Sequence, residues 1–217
     1  MKERGMIFNS EMVRAILDGR KTQTRRPIKF PFKDRNLGCE LSGNELAGEL
    51  SARNYLNSPF GKPGDRIWVR ETFQGPLFDF DQMDAYCKDS TPFEKAQFCV
   101  YKADGKPAPE FFDADYNLHC CWSPSIHMPR WASRILLEIT DVRVERLNAI
   151  SQEDAQAEGM ELTGWRPTYS DPDSGGEVCT PYDNFAQLWS SIYGEESWQG
   201  NPWVWVIEFK RIEGGEA

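Results

Sequence analysis

The sequence predicts an α+β protein, a small curved sheet or barrel with helices at its rim. Some stretches repeat their apolar residues with the strand period of two, and others with the helical period. They follow one another in the order helix, strand, strands, helix, helix, strand.

Residues 8–19 read as a short helix, with Asn9 or Ser10 as its cap, an apolar stripe of Met12, Val13, Ile16 and Leu17, and Gly19 as its stop. The segment 20–26 leaves that helix end and turns extended, because Pro27 disfavours helical backbone at Arg26. Weak periodicity and scattered Gly, Asn and Ser mark 28–59 as an excursion from the core. A sharp turn at 61–65 leads into a strand over 66–71, with Ile67 and Val69 on one face and Trp68 and Arg70 on the other. Residues 75–96, acidic at Asp79, Asp81 and Asp84, form a second insertion. Residues 98–102 read as a strand, and 106–121 as a loop-rich stretch. Ile135, Leu137, Ile139, Val142 and Val144 carry a strand over 133–144. A helix starts at Ser151, with Asp154 three residues on as an imperfect capping box, and ends near Glu158 and Gly159. The stretch 160–182 holds Pro167, Pro172, Gly175 and Gly176 and reads as a disordered or mobile loop. Phe185, Leu188, Trp189 and Ile192 form the core stripe of a helix over 183–193. The last strand, 203–210, sets Val204 and Val206 against Trp205, Ile207 and Phe209.

A chain of 217 residues fits one domain, and eight Trp, seven Tyr and thirteen Phe are enough to build its core. No apolar run approaches the length of a membrane span, and residues 1–6 lack the apolar stretch of a signal peptide. A soluble, cytoplasmic protein with no membrane partner is expected. The net charge of −9 argues against a general duplex-DNA binder, which must neutralise many phosphates. A local site is compatible with it: Arg20, Lys21, Arg25, Arg26 and Lys29 follow one another with no acid between them. The alternative is a solvated basic loop. The six cysteines include no CxxC pair, and His119, Cys120, Cys121 and Cys99 match no standard zinc spacing. Free thiols are expected, with no metal and no cofactor.

The familiar nucleotide, protease and zinc motifs are missing, and with two histidines an enzyme here would use acids, lysine or hydroxyls. Four groupings stand out. Residues 19–26 place an ammonium, hydroxyls and guanidinium groups on one short loop, suited to a phosphate or a carbonyl. A desolvated Lys21 there could lose its proton and act as base to a Thr hydroxyl. Trp68 and Arg70, followed by Glu71, offer a flat ring beside a planar cation, which suits a nucleobase; the alternative is a core tryptophan beside a surface ion pair. Residues 122–134 concentrate Trp122, His127, Arg130, Trp131 and Arg134, a density used by single-stranded nucleic-acid sites. Their alternative reading is a proline-stiffened connection pinning the next strand. Glu158 stands at a helix C-terminus, the unfavourable end of the macrodipole for a carboxylate.

Five segments in this order resemble the ASCH family, whose fold is a PUA-like β-barrel. They are Ile16-Leu17-Asp18-Gly19-Arg20-Lys21-Thr22-Gln23-Thr24-Arg25, Gly64-Asp65-Arg66-Ile67-Trp68-Val69, Leu137-Glu138-Ile139-Thr140-Asp141-Val142, Glu158-Gly159-Met160 and Trp205-Val206-Ile207-Glu208-Phe209. With Val69-Arg70-Glu71-Thr72-Phe73 and the 122–134 segment, the chain is similar to the longer ASCH proteins of phages and prophages. The resemblance implies one ASCH/PUA-like domain over 1–217, with insertions at 30–60, 75–96 and 161–182. It also implies RNA binding, or, from small members of the family, deacetylation of N4-acetylcytidine or ribonuclease activity. The catalytic set of the small amidohydrolases carries over onto Lys21, Thr24 and Glu158. In that reading Thr24 attacks the amide carbonyl, Lys21 takes or relays the proton, and Glu158 orients Lys21 or protonates the leaving amine.

Three functions therefore compete. One is recognition of RNA, single-stranded nucleic acid or a modified nucleoside in a basic pocket, by Arg20, Arg25, Arg26, Trp68, Arg70, Glu71, Trp122, His127, Arg130 and Arg134. The second is hydrolysis of an N-acylated nucleoside by Lys21, Thr24 and Glu158, with a metal-independent ribonuclease as its variant. The third is protein–protein contact as a phage accessory module.

Overall fold

A computed structural model describes residues 1–113, 117–161 and 180–212. Most of the loop expected over 160–182 lies outside them. The strands, in chain order, are β1 (Glu3–Ile7), β2 (Gln23–Pro27), β3 (Phe32–Lys33), β4 (Glu40–Leu41), β5 (Arg66–Arg70), β6 (Phe73–Gln74), β7 (Val100–Tyr101), β8 (Glu110–Phe112), β9 (Leu118–Cys120), β10 (Leu136–Arg146) and β11 (Trp203–Ile212). The α-helices are α1 (Ser10–Leu17), α2 (Gly43–Ser51), α3 (Met83–Lys88), α4 (Gln152–Ala157), α5 (Pro181–Tyr193) and α6 (Glu195–Gln199). The α+β class holds. The main sheet has the order β1-β5-β10-β11-β2 and does not close into a barrel among the described residues. None of the described helices is long and apolar enough to cross a membrane.

The chain divides into two compact units, and β10 runs from the first into the second. The first unit contains 1–17, 65–138 and the chain from 211. Here β1 runs parallel to β5, from Glu3 opposite Arg66 to Ile7 opposite Arg70. The start of β10 pairs antiparallel on the other side of β5, Leu137 opposite Ile67. Ile67 and Val69 are buried as the alternation required. Asn9 caps α1, its Oδ1 accepting the Met12 N–H at 2.8 Å, and the helix buries Val13, Ala15 and Ile16. The strand expected over 98–102 shrinks to β7, because single 3₁₀ turns at Ala96–Phe98 and Lys102–Asp104 bracket it. Residues 75–96 hold an aromatic cluster, with Phe78 4.6 Å from Phe93 and 4.9 Å from Tyr86 between ring centroids.

The second unit contains 18–64 and 139–210. Its β2 pairs antiparallel with β11, from Val204 opposite Pro27 to Glu208 opposite Gln23. One face of this pair packs under α4 and α5, where Leu147, Ile150, Ala155, Phe185, Trp189, Val204 and Val206 form the core. Ser151 caps α4, and Thr180 and Asp183 form a full capping box on α5. The other face of β11 carries Trp205, whose ring lies 5.9 Å from Phe32 and 6.2 Å from Phe60. The 28–59 segment is thus part of this core rather than an excursion from it. Its helix α2 opens with a Ser42/Glu45 capping box and buries Leu46 and Leu50, four residues apart on one helical face. At Gly43 a Cβ would stand 2.2 Å from the Trp203 ring, so only glycine lets that indole lie on the helix start.

Candidate active site

The chain between Lys21 and Pro27 is stitched into the second unit at both edges. Lys21 forms an isolated bridge with Glu158, Thr22 N–H donates to the Ala157 carbonyl at 2.8 Å, and Phe209 N–H donates to the Thr22 carbonyl at 2.9 Å. The segment read as a basic loop is therefore a strand and its lead-in, and its central cations are buried. Along β2 the period of two puts Gln23 and Arg25 on the face towards α4, with Thr24 and Arg26 on the opposite face.

Lys21 Nζ donates to Glu158 Oε2 at 2.6 Å and to the Glu158 backbone carbonyl at 2.9 Å. That carbonyl, at the end of α4, is one of those left without a partner inside the helix. The ammonium thus serves both the side chain and the helix end, which answers the unfavourable position of the carboxylate there. Neither side chain is open to water, with exposures of 0% for Lys21 and 3% for Glu158. The second Glu158 oxygen accepts from Arg25 Nη1 at 3.3 Å.

Arg25 is the hub. Its Nη1 also donates to Gln23 Oε1 at 2.5 Å, and its Nη2 to Glu145 Oε1 at 2.6 Å and Asp154 Oδ2 at 3.0 Å. Its Nε is buried without a hydrogen-bond partner, and its Cζ lies 5.8 Å from the Phe185 ring centroid. Gln23 Nε2 donates to Asp154 Oδ1 at 3.1 Å and to Glu208 Oε1 at 3.3 Å. Arg143 closes the network through Glu145, Asp154 and Glu208.

Three cations in this network face five carboxylates, Asp141 standing 3.9 Å from Arg143, so no positive charge of the three is left over for a phosphate. Burial pulls the Lys21 ammonium below the ordinary lysine range, and the charge and hydrogen bond of Glu158 offset this only in part. Arg26 and Arg25 push in the same direction as burial. For Asp154 burial acts upward, but Gln23, Arg25 and Arg143 together hold the carboxyl below the ordinary aspartate range. The result is a buried amine, its affinity for a proton lowered by burial, in hydrogen-bond contact with a carboxylate.

The remaining predicted residues are placed as follows. Thr24 is buried opposite Ile207 of β11, and among the described residues no hydrogen bond joins its hydroxyl to Lys21 or Glu158. Arg20 is exposed and pairs with Asp18 at 2.9 Å and Glu161 at 3.1 Å. Arg26 is half-buried opposite Trp205.

Trp68, Arg70, Glu71, Trp122, His127, Arg130 and Arg134 all belong to the first unit. Trp68 and Arg70 share a face of β5, the guanidinium 5.4 Å from the indole centroid. Arg70 donates to the Ser125 carbonyl at 3.1 Å and to that of Ile126. Glu71 is buried and accepts twice from Arg134, at 3.0 and 3.1 Å. Arg134 also holds Asp104 at 2.6 Å and lies 3.9 Å over the Tyr101 ring. Arg130 pairs with Glu3 at 3.1 Å, Trp122 is half-buried, and His127 is exposed in a 3₁₀ turn. These contacts tie the 122–134 connection to β5 and β1. No group of His, Cys, Asp and Glu among the described residues could hold a metal ion.

Sequence reasoning missed Gln23, Arg143, Glu145 and Glu208 as members of the network, and it named Asp154 only as a cap. Their signal was the two-residue spacing of polar groups, Arg143 with Glu145 and Gln23 with Arg25, on strands that otherwise bury apolar side chains.

No protein-family model matches the chain, and neither a curated protein nor a solved structure is significantly similar to it.

Proposed function

We propose that this chain is an ASCH-type protein with a PUA-like fold and that it hydrolyses an N-acylated nucleoside of the N4-acetylcytidine type. The observation that carries the reading is the Lys21–Glu158 pair, sealed from water at 2.6 Å, with its lysine depressed by burial. Recognition of a phosphate is less well supported, since carboxylates occupy Lys21 and Arg25, backbone carbonyls occupy Arg70, and Glu71 occupies Arg134. In hydrolysis, water adds its oxygen to the acyl carbon, the carbon–nitrogen bond breaks, and the exocyclic nitrogen leaves with a proton. Lys21 accepts the nucleophile's proton and returns it to that nitrogen, while Glu158 holds the amine in place.

Purified protein incubated with N4-acetylcytidine and resolved by chromatography tests this directly. Cytidine and acetate should appear with the wild type and fall about a hundredfold or more with Lys21→Ala. No cytidine from the wild type at high enzyme concentration overturns the reading. Salt-dependent binding of a single-stranded oligoribonucleotide without turnover would return the protein to the recognition class.

A further inference from the structure

Arg25 has a role that neither a phosphate site nor the Lys21–Glu158 pair alone accounts for. We infer that Arg25 is a positioning residue, which fixes Glu158 by one carboxylate oxygen so that the other is reserved for Lys21. This rests on the acid–base reading of that pair.

The geometry supports it in three ways. The guanidinium is wholly buried, yet it reaches carboxylates on two different elements, Glu145 on β10 and both Asp154 and Glu158 at α4. A planar fork suits such multiple contacts, whereas a lysine at the same place would be a single point charge. The oxygens of Glu158 are divided between partners, Oε1 to Arg25 and Oε2 to Lys21, so neither cation can take both without displacing the other. Lastly, Arg25 is itself held: Gln23 accepts from it, and the Phe185 ring centroid lies 5.8 Å from its Cζ.

The charges acting on Lys21 are Glu158 at the end of α4 and Arg25 and Arg26 on β2. Asp154 of α4 and Glu145 of β10 pair with Arg25, and Arg143 of β10 joins both of them to Glu208 of β11. Of these, Arg25 is the cation that shares a carboxylate with Lys21, and its charge works against protonation of the amine.

The test is an NMR titration of protein labelled with carbon-13 at the lysine Cε, with the Lys21 signal assigned by its loss in Lys21→Arg. In Arg25→Gln the Lys21 midpoint should move to higher pH, and the rise of kcat with pH should move with it. At neutral pH kcat should fall about a hundredfold with KM changed less than about threefold. Arg25→Lys restores the charge without the fork, so its Lys21 midpoint should lie between those of Arg25→Gln and the wild type. A folded Arg25→Gln whose Lys21 titrates as in the wild type overturns the proposal. If Arg25→Gln does not fold, an unmoved Lys21 signal in Arg25→Lys does the same, because one ammonium cannot hold Glu145, Asp154 and Glu158 at once. Should the wild type lack hydrolytic activity, the titration still decides the role of Arg25 while the proposed activity falls.

Discussion

Each unit buries a glutamate against an arginine, but the two pairs are wired differently. In the first unit both oxygens of Glu71 go to Arg134, which keeps 23% of its side chain exposed and stacks on Tyr101. Burial raises the Glu71 carboxyl, with Arg134 pulling the other way. Burial likewise opposes the charge on Arg134, but Glu71 and Asp104 outweigh it and raise that guanidinium. In the second unit the carboxylate is split between Arg25 and a lysine, and both cations are fully enclosed. An arginine partner cannot give up its proton near neutral pH, whereas a desolvated lysine can. The first glutamate is held by one arginine, and the second is shared between an arginine and a lysine whose proton affinity burial lowers, although the sequence offers a cation and a glutamate in both places.

Exchanging the two glutamates for glutamine gives the sharpest contrast. Glu158→Gln strands two enclosed cations and should cost about 3–5 kcal/mol in urea unfolding. Glu71→Gln leaves Arg134 with Asp104 and some water, and should cost about 1–2 kcal/mol. Equal losses would remove the distinction. Hydrolysis should fail only in the first variant.

The pH dependence of stability separates the pairs next. Because the folded state lowers the affinity of Lys21 for its proton, the unfolded chain binds more protons below the ordinary lysine value of 10.5. Raising the pH from 7 towards that value should therefore stabilise the wild type relative to Lys21→Met, as measured by urea midpoints in both. A difference that stays flat, or shrinks, would contradict a depressed Lys21.

The smallest effects concern helix caps. Ser151→Ala and Asn9→Ala should each cost about 1 kcal/mol, since each removes one side-chain cap. Only Ser151 holds the helix that carries Asp154 and Glu158, so only its loss should also slow hydrolysis. Matched stability losses with unequal activity losses would place the site in the second unit by a route independent of its charged residues.

Much of the architecture was legible because its signals are local. Pro27 sets the extended run before it, Asn9 and Ser151 start their helices, and Ile67 and Val69 alternate inward. The helix α2 was passed over although Ser42 and Glu45 form a capping box, because Gly43 and Gly48 lower helix propensity and hide the Leu46/Leu50 pair. The strand over 98–102 was overestimated, because 3₁₀ turns at Ala96–Phe98 and Lys102–Asp104 take up both of its ends. Ile192, read into a core stripe, is exposed, since the core against α5 is met by Phe185 and Trp189.

The sequence by itself determined the α+β class, the run of acid-free basic residues from Arg20 to Lys29 and the helix ending at Glu158. Composition also showed that the body around those cations is acidic. Only the tertiary structure decided what the cations are for. Local spacing fixes which face of a strand a side chain takes, but not what the fold brings against that face. Glu145, Asp154, Glu158 and Glu208 lie more than a hundred residues from Arg25 in the chain, and their arrival turns a basic stretch into a charge-paired network in which Lys21 and Arg25 are buried.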